Sequence, residues 1–169
     1  MNSDKPFEFI LYGQPRTKKN SSRILRGHAR LLPSKAYAEY EAACRRDINS
    51  MRYKMRLPHY SLPVRLTCRY YLENKRGWPD LVGLMQATAD IISDEYKTVK
   101  GKRALICKWL LSDDRIIKEW DGTRIMGIDK ERPRVEIIIT PLEVSLETEI
   151  DPYIIRQLEE IEQGKLFDS

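Results

Sequence analysis

Four aspartates stand out by position. Asp80 opens the segment PDLVGLMQATADII, Asp90 closes its polar side, and Asp113 and Asp114 sit side by side where the apolar run WLL stops. At 100° per residue, Asp80, Gly83, Ala87 and Asp90 share one sector roughly 80° wide. The two acids thus flank a strip of small residues that another chain or a phosphate could approach. Leu81, Leu84, Met85, Thr88, Ile91 and Ile92 form a separate apolar stripe, suited to packing on a sheet. Asp80, following Pro79, also suits a helix start, where an acid complements the dipole. The adjacent pair Asp113-Asp114 is poor β-forming material and marks a strand end or a solvated turn. If the helix packs across that junction, three or four carboxylates meet. Such a cluster is stable only when a hard cation neutralises it or one member takes a proton. Oxygen-only ligands favour Mg²⁺ or Mn²⁺, with Asp80, Asp113 and Asp114 as ligands and Asp90 beside them. The chemistry these ions serve next to a basic surface is phosphodiester hydrolysis.

The surface is basic. The 169 residues carry a net charge of +5, but the distribution is uneven. From Gln14 to Ala38 there are seven Lys or Arg residues and no acid. From Glu143 to Ser169 eight acids face two bases, a net of −6, so residues 1–142 carry +11. A body of that charge predicts a polyanionic partner, nucleic acid above all. Lys18, Lys19, Arg23, Arg26 and Arg30, with Arg16 before them, are the candidate phosphate contacts, against a plain reading as surface solubility. Trp78, Tyr70 and Tyr71 could stack on unpaired bases, though burial is the competing account. His28 and His59 are isolated and are read as having no catalytic part.

The elements that must position these residues follow from periodicity. PFEFILYG reads as a first strand ended by Gly13, and QPRTKKNSSRILRGHARLLPS as a loop with a short hairpin strand at ARLL. Ser34 caps a helix whose Tyr37, Tyr40, Cys44, Ile48 and Met51 recur at helical spacing. PVRLTCRYYLE alternates as a second main strand. The Asp80 helix comes next, followed by YKTVKGKR, read as a mobile basic stretch. ALICKWLL and RIIKEW read as strands around the acid pair, PRVEIIITPLE as the last strand, and DPYIIRQLEEIEQG as an amphipathic or partly disordered tail. The expected fold is α+β: one compact domain over residues 1–142, a mixed sheet with two main helices packed on it, and an acidic C-terminal helical tail over 143–169. That tail is expected to be a solvated helix, with masking of the basic surface or contact with a partner subunit as alternatives. No apolar run approaches a membrane span, the start lacks a signal-peptide pattern, and three scattered cysteines argue against a disulfide or zinc framework. The expected location is cytoplasmic.

The ordered set GQPRTKKN, PDLVGLMQATADII, DDRI, DGTR and PRVEIIIT resembles the RusA-like Holliday junction resolvases of bacteria and their prophages, over roughly Phe7 to Pro141. The resemblance implies a small homodimeric α/β fold that cuts four-way DNA junctions by paired nicks, with Mg²⁺ or Mn²⁺ held by aspartates. It implies catalytic roles for Asp80 and for Asp113-Asp114, the second of the pair being a metal ligand, with Asp90 matching a further acid. Arg124 falls near a later family Lys and joins the nucleic-acid contacts. The chain departs from the family's Asp-Leu-Asp-Asn opening: Val82 replaces the second Asp, Gly83 the Asn, and Gln86 a following Lys. Glu73, Asp90 and Asp121 are each able to supply the missing oxygen. Three readings follow: a metal-dependent, structure-selective DNA endonuclease, a catalytically inactive junction-binding protein on the same fold, and a basic protein-interaction domain.

Overall fold

The computed structural model describes residues 2–18, 23–25, 28–32 and 34–167, with the side chains of 23–25, 28–32, 166 and 167 outside that description. The architecture is α+β. A mixed five-stranded sheet runs β1 (Phe7–Tyr12), β9 (Arg134–Pro141), β4 (Val64–Leu72), with β7 (Ile117–Glu119) and β8 (Arg124–Ile128) sharing the far edge of β4. β1 and β4 flank β9 antiparallel, whereas β7 and β8 run parallel to β4. Strict alternation along β4 and β9 sends Val64, Leu66, Cys68, Tyr70, Val135, Ile137 and Ile139 to one face, where they are buried.

That face receives the helices. α1 (Lys35–Lys54) is capped by Ser34, whose side chain accepts from the Tyr37 amide, and it buries Tyr37, Tyr40, Cys44 and Ile48 as the spacing predicts. α2 (Leu81–Ile92) is held to the sheet by a buried hydrogen bond between Tyr70 Oη and Thr88 Oγ1 at 2.8 Å. Burial with a satisfied hydroxyl removes Tyr70 from any base-stacking role. The opposite face is polar: Arg134 pairs with Asp129 and Glu136 and lies over the Tyr71 ring, and Arg65 pairs with Glu119. Tyr71 is therefore also engaged by the protein itself.

Several elements differ from expectation. The strand expected over ALICKWLL ends at Cys107, and residues 108–112 carry only an isolated bridge at Leu111. YKTVKGKR is a β-hairpin: β5 (Glu95–Val99) pairs with β6 (Lys102–Cys107) around a two-residue turn at Lys100 and Gly101, both at positive φ. These left-handed values suit a type I′ connection, which matches the twist of a tight hairpin. The acidic tail is not a solvated helix. α3 (Pro152–Phe167) buries Ile154 completely in the core, with Tyr153 and Leu158 packed against it. A helix with three apolar residues on one face lowers its free energy by docking that stripe. The second strand after the acid pair, β8, carries no alternation of its own in the sequence reading and forms against β4. β2 (Arg23–Leu25) and β3 (His28–Leu32) make the small hairpin anticipated at ARLL. Among the described residues no helix is long and apolar enough to cross a membrane.

Candidate metal and nucleic-acid site

α2 carries candidate residues at both ends. At its start Asp80 is the N-cap, and its Oδ1 accepts from the Gly83 amide at 2.5 Å. The local cause is a helix that begins just after a proline, with free amides that a carboxylate satisfies. The strip of small residues beyond it is not an open approach. Gly83 and Ala87 are buried. A Cβ added to Gly83 would stand 3.0 Å from Thr17 Cγ2 and 2.9 Å from Asp80 Oδ1. The chain that approaches closely is this protein's own loop after β1.

Lys18 follows from that placement. It extends toward the other end of α2, where its Nζ lies 2.5 Å from Asp90 Oδ2 and 5.6 Å from the centre of the Tyr37 ring. Its ammonium thus compensates Asp90, a role the acid-free span did not reveal. Lys19 and Arg26 lie outside the described residues. Arg23 and Arg30 fall on β2 and β3, with their side chains outside the description. Arg16 is exposed and, with Arg76, Ser34 and Pro79, lines a cleft of about 240 Å³ beside the start of α2. Arg76 lies four residues before Asp80, outside the acid-free N-terminal span that marks the other candidate bases. Trp78, in the same approach to α2, is 52% exposed and remains available to stack. Arg124 is exposed at the sheet edge, in register with the exposed Arg69.

The acid pair reaches the far end of α2. Residues 109–112 are stitched in by Leu110 and Leu111 amides donating to the Ile92 carbonyl, Asp94 N to Leu111 O, and Ser112 N to Tyr60 O. Ser93 and Leu111 form a parallel bridge. The chain therefore delivers Asp113 and Asp114 beside the last turn of α2, next to Asp90. Asp80 lies ten residues back, about 15 Å along the helix axis. The four aspartates consequently do not converge as one cluster. Among the described residues no group of three or more His, Cys, Asp or Glu side chains is arranged to hold a metal.

The two neighbours in the pair have opposite electrostatics. Asp113 is 5% exposed, and both its oxygens face cations. Oδ2 accepts from Arg103 Nη2 at 2.8 Å and from Arg115 Nη2 at 3.4 Å, while Oδ1 accepts from the Arg115 amide at 3.0 Å and its Nε at 3.1 Å. Burial alone would push its carboxyl up, but these donors outweigh it and hold Asp113 below the ordinary carboxylate range. It is an arginine-paired structural carboxylate, not an open ligand, which corrects its assignment as a metal residue. Asp114 begins a 3-10 turn, Asp114–Ile116, and is exposed. Partial burial of its carboxyl, then the hydrogen bond and charge of Asp113, then the charge of Asp90, push it above the ordinary carboxylate range, with Arg115 opposing. Any proton held by the pair sits on Asp114.

Asp114 and Asp90 are therefore the two acids that the fold brings into mutual range. Mg²⁺ commonly uses one or two carboxylates, with waters and substrate phosphate oxygens completing its shell. Asp114 fits that demand directly and Asp90 would do so on release of its Lys18 contact, whereas Asp80 is committed to a cap and Asp113 to two guanidinium groups. Glu73 and Asp121 are exposed, and Val82 is 66% exposed on α2. His59 pairs with the buried Asp94 at 2.9 Å, a structural contact. No protein-family model matches the chain, and no characterised protein matches it in sequence.

Proposed function

We propose that this protein binds branched DNA and hydrolyses phosphodiester bonds with a divalent cation, Mg²⁺ or Mn²⁺, in the manner of the resolvases its motifs resemble. The observation that carries the reading is the approach of Asp114 to Asp90, two acids with the pKa of Asp114 raised, in a chain of net charge +5 whose residues 1–142 carry +11 and whose docked C-terminal segment carries −6. When bound there, the cation would supply Lewis-acid stabilisation of the leaving oxygen and favour ionisation of the attacking water. Asp114 and Asp90 would hold it. Lys18, already between the loop and Asp90, is within reach to exchange its carboxylate partner for a substrate phosphate. Arg16 and Arg76 would grip a phosphate at the opposite end of α2, and Arg124 and Arg69 another at the sheet edge. A four-way junction presents two opposed strands, which a twofold pair of chains matches best.

The exposed Val82 favours a second reading, a junction-binding protein that does not cut. One experiment separates them. A four-way junction and a matched linear duplex are incubated with wild type or Asp114→Asn, in Mg²⁺, Mn²⁺ or EDTA. The nuclease reading expects metal-dependent nicks in the junction, reduced on the order of 100-fold or more by Asp114→Asn, with binding retained or tightened because a charge facing phosphate is gone. Salt-sensitive junction binding without nicks under any metal selects the binding protein. Absence of salt-sensitive DNA binding overturns both.

A further inference from the structure

A second acid-free span lies outside the N-terminal loop. Residues 96–112 contain Lys97, Lys100, Lys102, Arg103 and Lys108 and no Asp or Glu. Unlike the N-terminal loop, it is built on a defined two-stranded ribbon that stands as its own small sheet. The register fixes which side chains share a face. Tyr96 pairs with Leu105 and Thr98 with Arg103 on one side, Lys97 with Ala104 and Val99 with Lys102 on the other.

The first face ties the ribbon to the body beside the candidate site. Tyr96 Oη donates to the Ser112 carbonyl at 3.0 Å, and Arg103 stacks over the Tyr96 ring at 3.7 Å while bonding Asp113 at 2.8 Å. One end of the ribbon is thereby fixed to the residue next to Asp114. The second face is exposed and carries Lys97 and Lys102 around Val99, with Lys100 at the turn. Lysine stems over an apolar centre, with no acid in the span, make a surface complementary to a polyanion. A two-stranded ribbon is also one of the elements that a major groove admits.

We propose that the β5–β6 hairpin is a DNA-contacting arm, whose Lys97, Lys100 and Lys102 neutralise phosphates of a duplex that passes beside Asp114. This rests on the nucleic-acid half of the proposed function, and does not depend on cleavage. The anchor through Arg103 and Asp113 gives the arm a fixed direction relative to that site.

The test is a salt titration of four-way junction binding by fluorescence anisotropy. The variant is Lys97→Gln, Lys100→Asn, Lys102→Gln; Asn is chosen at position 100 because it tolerates the left-handed backbone there. A control removes equal charge elsewhere, Lys5→Gln, Lys54→Gln, Lys130→Gln, all exposed. The hairpin variant is expected to flatten the log–log salt slope by between about 1 and 3, each phosphate contact being worth roughly 0.9, and to bind at least about 10-fold more weakly at 0.1 M salt. The control is expected to change the slope by less than about 0.5 on the same scale. Since the three side chains are exposed, the melting temperature should not move. Wild type that binds with a salt-dependent slope while the hairpin variant keeps that slope overturns the arm and leaves the DNA reading intact. Equal flattening in variant and control overturns it too, because diffuse charge then suffices. Wild type with no salt-dependent DNA affinity removes both proposals.

Discussion

Asp113 and Asp114 are adjacent in sequence and opposite in stability. Asp113 is deprotonated well below the usual range, so its contribution is present above the ordinary carboxylate value near pH 4 and is lost as pH falls through its lower native value. Asp113→Asn should therefore destabilise at neutral pH by about 1–3 kcal/mol, the range for hydrogen bonds to a charged group, softened because both arginines reach solvent. Urea denaturation at pH 7 measures it, and a loss below about 0.3 kcal/mol would remove Asp113 from the fold's support. Asp114 runs the other way. Its folded pKa lies above its unfolded one, so folding takes up a proton and the charge costs stability at high pH. Asp114→Asn should raise the melting temperature at pH 7, and the gain should vanish below about pH 4, where the unfolded chain is protonated as well. The sequence made both acids visible as the end of an apolar run; the strand itself stops earlier, at Cys107, and Asp113 caps the 3-10 turn. The sequence did not distinguish them, because the difference lies in Arg103, which a hairpin returns to Asp113, and in Asp90, which the end of α2 supplies. Asp80 as a helix start was legible from Pro79 and the apolar period behind it.

At the scale of elements, the long alternating strands and the two periodic helices were readable because each has its own pattern. The elements that depend on a distant partner were not. β8 is five residues with a glycine inside, and it is a strand because β4 lies beside it. The β5–β6 turn uses Lys-Gly rather than Asn-Gly or Asp-Gly, so it lacks the strongest hairpin signal. α3 was visible as amphipathic, yet its acidic charge suggested solvation, and only the docked position of Ile154 decides otherwise. Ile154→Ala should cost about 2–5 kcal/mol, as for other fully buried large-to-small changes. A solvated tail would lose no more than about 0.5 kcal/mol, which chemical denaturation resolves easily. The same measurement on Leu158→Ala, partly buried, should give a smaller loss.

At the scale of the molecule, the candidate site is spread over two ends of one helix rather than gathered at a point, and the basic residues follow that spread. A twofold assembly would place two such surfaces against opposed strands. Sedimentation at micromolar concentration with junction DNA present should show two copies of the 19.9 kDa chain per junction, and a single copy at saturation would defeat the paired-site reading. The sheet order has a further consequence, in time rather than in space. β9 occupies the slot between β1 and β4, so Tyr12 waits for Arg134, its neighbour in register, 134 − 12 = 122 residues later. At a synthesis rate of about 5–20 residues per second that interval is roughly 6–25 s. From the completion of β4 at Leu72 to the end of that interval, β1 and β4 are both made and neither has the strand that joins them. Slowing the ribosome between β4 and β9 should raise the aggregated fraction of newly made protein, while slowing it after Pro141 should leave that fraction unchanged.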